Sequence, residues 1–195
     1  MFDLGKVLLD FDYGIAAAKI ATKGKWPRDE VHRFIAQSPL LFRYETGLVT
    51  QNEFYTEICA ATGYRGDFEE FGGYFSDIFS PIEPMVALQA DLRKRGTPTY
   101  IFSNTNDLAI SHIRTNFPFF SNFDGYVLSY EHRAMKPDER IYAVAEEMSG
   151  KRGSDILYLD DRLENVEAGT RRGWQVILQE SPEKSISAVR TLGLL

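Results

Sequence analysis

Four short runs of this 195-residue chain hold side chains that could do chemistry together. They are Asp3, the Ser103-Asn104-Thr105-Asn106 turn, Lys136, and the Asp160-Asp161 pair with Asn165 one helical turn beyond. Carboxylates brought within a few Å repel unless a hard cation lies between them, and Mg²⁺ suits oxygen ligands completed by water and phosphate. A hydroxyl and backbone N–H groups at a helix start receive phosphate oxygens. A lysine offsets the remaining negative charge. One carboxylate is then free to attack phosphorus.

These runs fall where an α/β domain would place them. From residue 97 onward, β-rich stretches at 97–103, 126–130, 156–159 and 174–178 alternate with helical patterns at 107–117, 137–148, 163–172 and 182–192. Short apolar runs with helices between them indicate parallel strands buried on both faces, hence a doubly wound, Rossmann-like sheet. Ligands in such sheets sit beyond the carboxyl ends of the strands, where the four runs lie. The part of the chain between residues 14 and 84 is expected to be wholly helical, over 15–22, 27–37, 40–44, 50–61 and 68–79. Thr50 with Glu53 forms a capping box, and Gly63 stops that helix. The expected organisation is therefore an α/β core of residues 1–13 and 85–195 carrying an α-helical cap of residues 14–84. Residues 1–4 are the only strand candidate before the helical block, against a usual 5 or 6. Either the first strand is short or a few apolar residues are missing before it.

In order and spacing, FDLGKVLLDFD, FSNTN, MKPDERIY and LYLDDRLENVEAG resemble the four motifs of the haloacid dehalogenase-like hydrolases over nearly the whole chain. The chain looks most similar to bacterial sugar-phosphate phosphatases and to the N-terminal phosphatase domain of epoxide hydrolases. The resemblance implies that Asp3 is the nucleophile and a Mg²⁺ ligand, with the Gly5 carbonyl and Asp161 as further ligands and Asp160 acting through a metal-bound water. It implies that Ser103 and the Asn104 backbone hold the phosphoryl group, that Lys136 bridges that group and Asp3, and that Asn165 fixes the loop after Asp161. Most phosphatases of the family carry an acid-base aspartate two residues after the nucleophile, where this chain has Gly5. Asp10 and Asp12 are candidates to replace it, helix capping being their other reading.

The segment Phe42-Arg43-Tyr44-Glu45 with Gly47 is the polar-aromatic stretch of the helical block, and Arg43 and Tyr44 are expected to contact substrate. With Lys+Arg at 22 against Asp+Glu at 28 and a net charge of -6, no whole-chain field invites nucleic acid or anionic lipid. The single Cys59 excludes an intramolecular disulfide and a Cys-rich zinc site, which makes a reducing, cytoplasmic setting the expectation. His32, His112 and His132 lack ligand spacing. Phe117, Phe119, Phe120 and Phe123 read as core. No run approaches a membrane span. The expected partner is a small phosphate ester, taken by a monomer or homodimer. A haloacid dehalogenase would use the same aspartate on carbon, but its members lack the acidic pair. A phosphonate hydrolase would need a cap lysine, for which Lys19, Lys23 and Lys25 are the candidates. A phosphate- or partner-binding module on a degenerate scaffold is the non-enzyme alternative.

Overall fold

The computed structural model describes residues 1–195. Its central sheet is parallel. Strands β3 (Tyr100–Ser103) and β4 (Gly125–Leu128) pair on one side, and β5 (Leu157–Asp160) and β6 (Gln175–Leu178) on the other. Phe2 joins the halves with parallel bridges to Ile101 and Leu159, so residues 1–3 form the middle rung. The Phe2 N–H bonds Tyr100 O at 2.8 Å and the Asp3 N–H bonds Leu159 O at 2.9 Å. The chain runs from the middle outward through β3 and β4, then crosses to β5 and β6. The strand order therefore reverses at the middle rung, beside Asp3, and a crevice opens at that place in such sheets.

Alternation along each strand sends neighbours to opposite faces. Ile101, Leu128 and Leu159 enter one apolar core with Leu88, Ile110 and Val189, from α6 (Glu83–Lys94), α7 (Asp107–Asn116) and α11 (Pro182–Thr191). Phe102, Val127 and Tyr158 enter another with Tyr142 and Ala168, from α9 (Glu139–Ser149) and α10 (Leu163–Arg171). Both sheet faces are thus covered, as the apolar runs of the sequence require. No helix is long and apolar enough to cross a membrane.

The helical block comprises α1 (Tyr13–Ala21), α2 (Arg28–Gln37), α3 (Pro39–Glu45), α4 (Gln51–Thr62) and α5 (Phe68–Ser76). It has a core of its own, with Ile20, Val31, Phe54, Ile58, Phe71 and Phe75 essentially unexposed. The Thr50–Glu53 capping box is present, and Gly63 ends α4 at φ 69°. The expected helix over 68–79 stops at Ser76, and β2 (Phe79–Pro81) pairs antiparallel with β1 (Leu9–Phe11). This ribbon carries the chain out of the sheet and back. The expected strand over 126–130 likewise ends at Leu128, where Ser129 opens a helical turn, α8 (Ser129–His132).

Candidate active site

The carboxyl ends of the strands bring Asp3, Ser103, Lys136 and Asp160 together, all buried. Lys136 places its three ammonium protons on Phe102 O at 2.9 Å, Asp160 Oδ2 at 2.6 Å and Asp3 Oδ1 at 3.0 Å. Burial would lower its pKa, but the two carboxylates outweigh that and raise it, so the ammonium stays charged. Asp3 Oδ1 also accepts the Leu4 N–H at 2.7 Å, whereas Oδ2 makes no hydrogen bond. The nucleophile candidate is thus fixed by one oxygen with the other free. Burial pushes the Asp3 carboxyl up to about 7 against the pull of Lys136, with Asp160 adding to the rise.

The acidic pair splits into two environments. Both Asp160 oxygens are filled: Oδ2 accepts from Lys136 and the Tyr158 hydroxyl, Oδ1 from the Arg162 N–H at 2.8 Å and Asn165 Nδ2 at 3.0 Å. Burial acts to raise its pKa, but Lys136 holds it below the ordinary carboxylate value. Asp161 is partly exposed, makes no side-chain hydrogen bond to a neighbour, and is raised by burial and by Asp160. A carboxylate oxygen from each of Asp3, Asp160 and Asp161 lies within 4.8 Å of the others.

This donor set fits a hard divalent cation. Asp161 and Asp3 Oδ2 have uncommitted oxygens, the Gly5 carbonyl accepts no backbone bond, and Asn165 Oδ1 is buried without a partner. Such an orphaned acceptor is what a hydrated cation among carboxylates satisfies. Asp160, with its lone pairs spent, fits the outer role expected of it and also orients Lys136.

The turn after β3 divides its labour. Asn104 clamps the Lys136 loop, its amide donating to Lys136 O at 3.0 Å and accepting the Lys136 N–H at 2.8 Å. Asn106 caps α7 through Ala109 N–H. The Thr105 N–H goes to Ser129 Oγ at 2.9 Å, while the Asn104 N–H has no acceptor in the protein. Ser103 Oγ has only a long 3.3 Å contact, to Asn104 O. Two donors therefore face a cavity of about 50 Å³, lined also by Gly5, Phe11, Tyr13 and Glu45. A larger cavity of about 330 Å³ lies at the other end of the strands, around Met1, Thr97 and Asp155, and none of Asp3, Gly5, Ser103, Asn104, Lys136, Asp160 and Asp161 lines it.

The structure redistributes the remaining expected residues. Arg43 is exposed and pairs with Glu57 at 3.2 Å on the outside of the helical block, so it does not face the cavity. Tyr44 is buried as a strut: its hydroxyl donates to Asp107 and accepts the Leu108 N–H at 3.4 Å. Neither lines the cavity, and their neighbour Glu45 does. A helix side that projects to solvent is not distinguishable in the sequence from one that meets a second layer. The signal available was Gly47, at φ 70°, where a Cβ would stand 2.2 Å from Tyr130 O. Only glycine permits that close approach, which seats the end of α3 on the α8 turn that follows β4.

The positions near Gly5 are also settled. Asp12 accepts the Gly14 N–H at 2.7 Å and caps α1, and Asp10 is exposed and paired with Lys6. Lys6 has φ 59°, an unusual value for a residue with a side chain, and its ammonium reaches Phe11 O at 2.9 Å. A Cβ on Gly5 would meet Phe11 Cε1 at 2.8 Å, so an aromatic ring occupies the space a side chain there would need.

The site is a cluster of carboxylates and a buried lysine at the reversal point of a Rossmann-like sheet, and the family comparison gives its class as a hydrolase. The chain belongs to the haloacid dehalogenase-like hydrolases, whose family model matches residues 1–173. Among solved structures it is similar to the HAD family enzyme bt-2542 from Bacteroides thetaiotaomicron, at 23% identity over 90% of each chain and a TM-score of 0.79. That enzyme has also been solved in complex with magnesium and inorganic phosphate, to which the chain aligns at a TM-score of 0.77. A predicted HAD-like family hydrolase from Porphyromonas gingivalis is 22% identical over 98% of this chain and 95% of its own, with a TM-score of 0.81. The L-2-haloacid dehalogenase from Xanthobacter autotrophicus is 17% identical over 98% and 81%, with a TM-score of 0.66. At these identities the likeness speaks for the fold alone. No curated protein matches the chain.

Proposed function

We propose that this hydrolase is a magnesium-dependent phosphatase for a small phosphomonoester, a sugar phosphate in particular, working through an aspartyl-phosphate. The observation that carries the reading is Asp3, held by Lys136 and Leu4 through Oδ1 with Oδ2 free beside the uncommitted Asp161. A dehalogenase nucleophile needs no such acidic company.

On this reading Asp3 Oδ2 attacks phosphorus and the ester oxygen leaves. Lys136 neutralises charge on the transferring group, favours the ionised form of Asp3 against the effect of burial, and aims it. The Ser103 hydroxyl and the Asn104 N–H receive a phosphoryl oxygen. Asp3, the Gly5 carbonyl and Asp161 would hold the Mg²⁺, which supplies charge neutralisation for the phosphate oxygens. The helical block of α1–α5 serves as the cap over the cavity, and the small enclosed volume means it must move to admit a sugar.

The test is turnover of a phosphomonoester panel with Mg²⁺ and with EDTA, alongside 2-chloropropionate. We expect phosphate release that EDTA abolishes, and a drop of about 10³-fold or more in Asp3→Asn with its circular dichroism unchanged. Chloride release insensitive to EDTA would overturn the reading in favour of a dehalogenase.

A further inference from the structure

Resting on the phosphatase reading, we propose that Glu45, delivered by the last residue of α3, is the acid and base of the reaction, in the role that Gly5 cannot fill. The cavity beside Gly5 and Ser103 is lined by one carboxylate, and that is Glu45. The two aspartates that next follow Gly5 along the chain are occupied elsewhere, Asp12 in capping α1 and Asp10 in pairing with Lys6 on the surface.

Its position is held from both layers. Its own carbonyl accepts the Ser129 hydroxyl at 2.5 Å, and the same Ser129 oxygen accepts the Thr105 N–H of the turn that follows Ser103 and Asn104. The Tyr44 strut and the bare backbone of Gly47 against Tyr130 fix the residues on either side. The carboxylate Oε1 accepts the Tyr13 hydroxyl at 3.4 Å, which leaves Oε2 without a partner and with proton-transfer capacity. The charged or titratable groups facing it are Tyr13 from α1 and Arg162 from the loop before α10. Burial raises the Glu45 carboxyl to about 7, against the Tyr13 bond and the Arg162 charge, a value suited to exchanging a proton near neutrality.

The proton balance closes. As Asp3 Oδ2 bonds to phosphorus and the P–O bond to the alcohol breaks, Glu45 gives its proton to the leaving oxygen and becomes a carboxylate. That carboxylate then takes a proton from the water that attacks the aspartyl-phosphate. The P–O bond to Asp3 breaks, phosphate departs, and Glu45 is protonated again.

The experiment compares Glu45→Gln with the wild type on an alkyl phosphate and on 2,4-dinitrophenyl phosphate, whose leaving group needs no proton. Because kcat/KM reports only the steps through release of the alcohol, it should fall by about 10² or more for the alkyl ester. For the aryl ester it should change less than about fivefold, while its kcat falls and phosphoenzyme accumulates in acid-quenched samples as water loses its base. The kcat/KM profile for the alkyl ester should lose its basic limb in the variant. An equal loss of kcat/KM on both esters, or none on the alkyl ester, overturns the assignment of Glu45 alone. A wild-type protein that hydrolyses neither ester with Mg²⁺ overturns the phosphatase reading and this one with it.

Discussion

The sheet end and the helical block are built on opposite principles. At the sheet end Lys136 and Asp160 are fully committed, the first with three acceptors and the second with four donors, inside a region where an unpaired charge is expensive. The helical block is held by stacked rings, with Tyr44 on Phe54 at 4.3 Å, Phe54 near Phe75 at 5.0 Å, and Phe75 parallel to Phe71. It reaches the cavity chiefly through Tyr13 and Glu45. The difference teaches that precision here comes from hydrogen bonds on strand ends, whereas the covering layer needs volume and one anchored edge.

The contrast breaks most sharply at Phe54. Truncating a wholly buried ring that contacts Tyr44, Phe71 and Phe75 should cost about 3–5 kcal/mol. Urea melts check this, and a loss below about 1 kcal/mol would mean that the rings are not what hold the block. A middle-sized effect belongs to the α/β part, at Glu146. That carboxylate accepts from Arg172 at 3.0 and 2.6 Å and from Trp174 Nε1 at 2.9 Å. The Arg172 bonds hold its pKa below the usual value, so its contribution is present above the unfolded glutamate pKa of about 4.3 and is lost as pH falls through the folded value. Glu146→Gln should therefore cost about 2 kcal/mol at pH 7, and the gap should close at acid pH. A gap of constant size across pH would assign the effect to packing. The smallest effect is expected at Arg43, whose exposed pair with Glu57 contributes little. Arg43→Ala should leave kcat/KM within about twofold on every ester, and selective loss on a sugar phosphate would return Arg43 to the substrate surface.

Much of the site was legible because its residues close strands that the apolar runs announce. Asp3, Ser103 and Asp160 follow Phe2, Phe102 and Leu159 directly, and burial on both faces leaves the strand end as their place, whereas Lys136 comes from the loop beyond α8. The ribbon of β1 and β2 was not legible. Phe68, Phe71, Phe75 and Phe79 continue a helical spacing, and β2 exists only because Leu9–Phe11 lies opposite, a pairing between distant segments that local periodicity does not carry. The same limit placed Arg43 and Tyr44 at the substrate and left Glu45 unassigned, since the choice depends on how one layer rests on another. Asp10 and Asp12 met local fates, an ion pair and a cap, of which capping was readable beforehand.

The lone lysine among three carboxylates has an arithmetic consequence for the order of events. Formally Asp3, Asp160 and Asp161 carry three negative charges against one on Lys136, leaving two in excess. A phosphate dianion would meet that excess as repulsion, and a divalent cation cancels it. On the proposed reading substrate entry is therefore conditional on the metal, and free phosphate should inhibit as a ligand of the loaded protein while passing the metal-free one by.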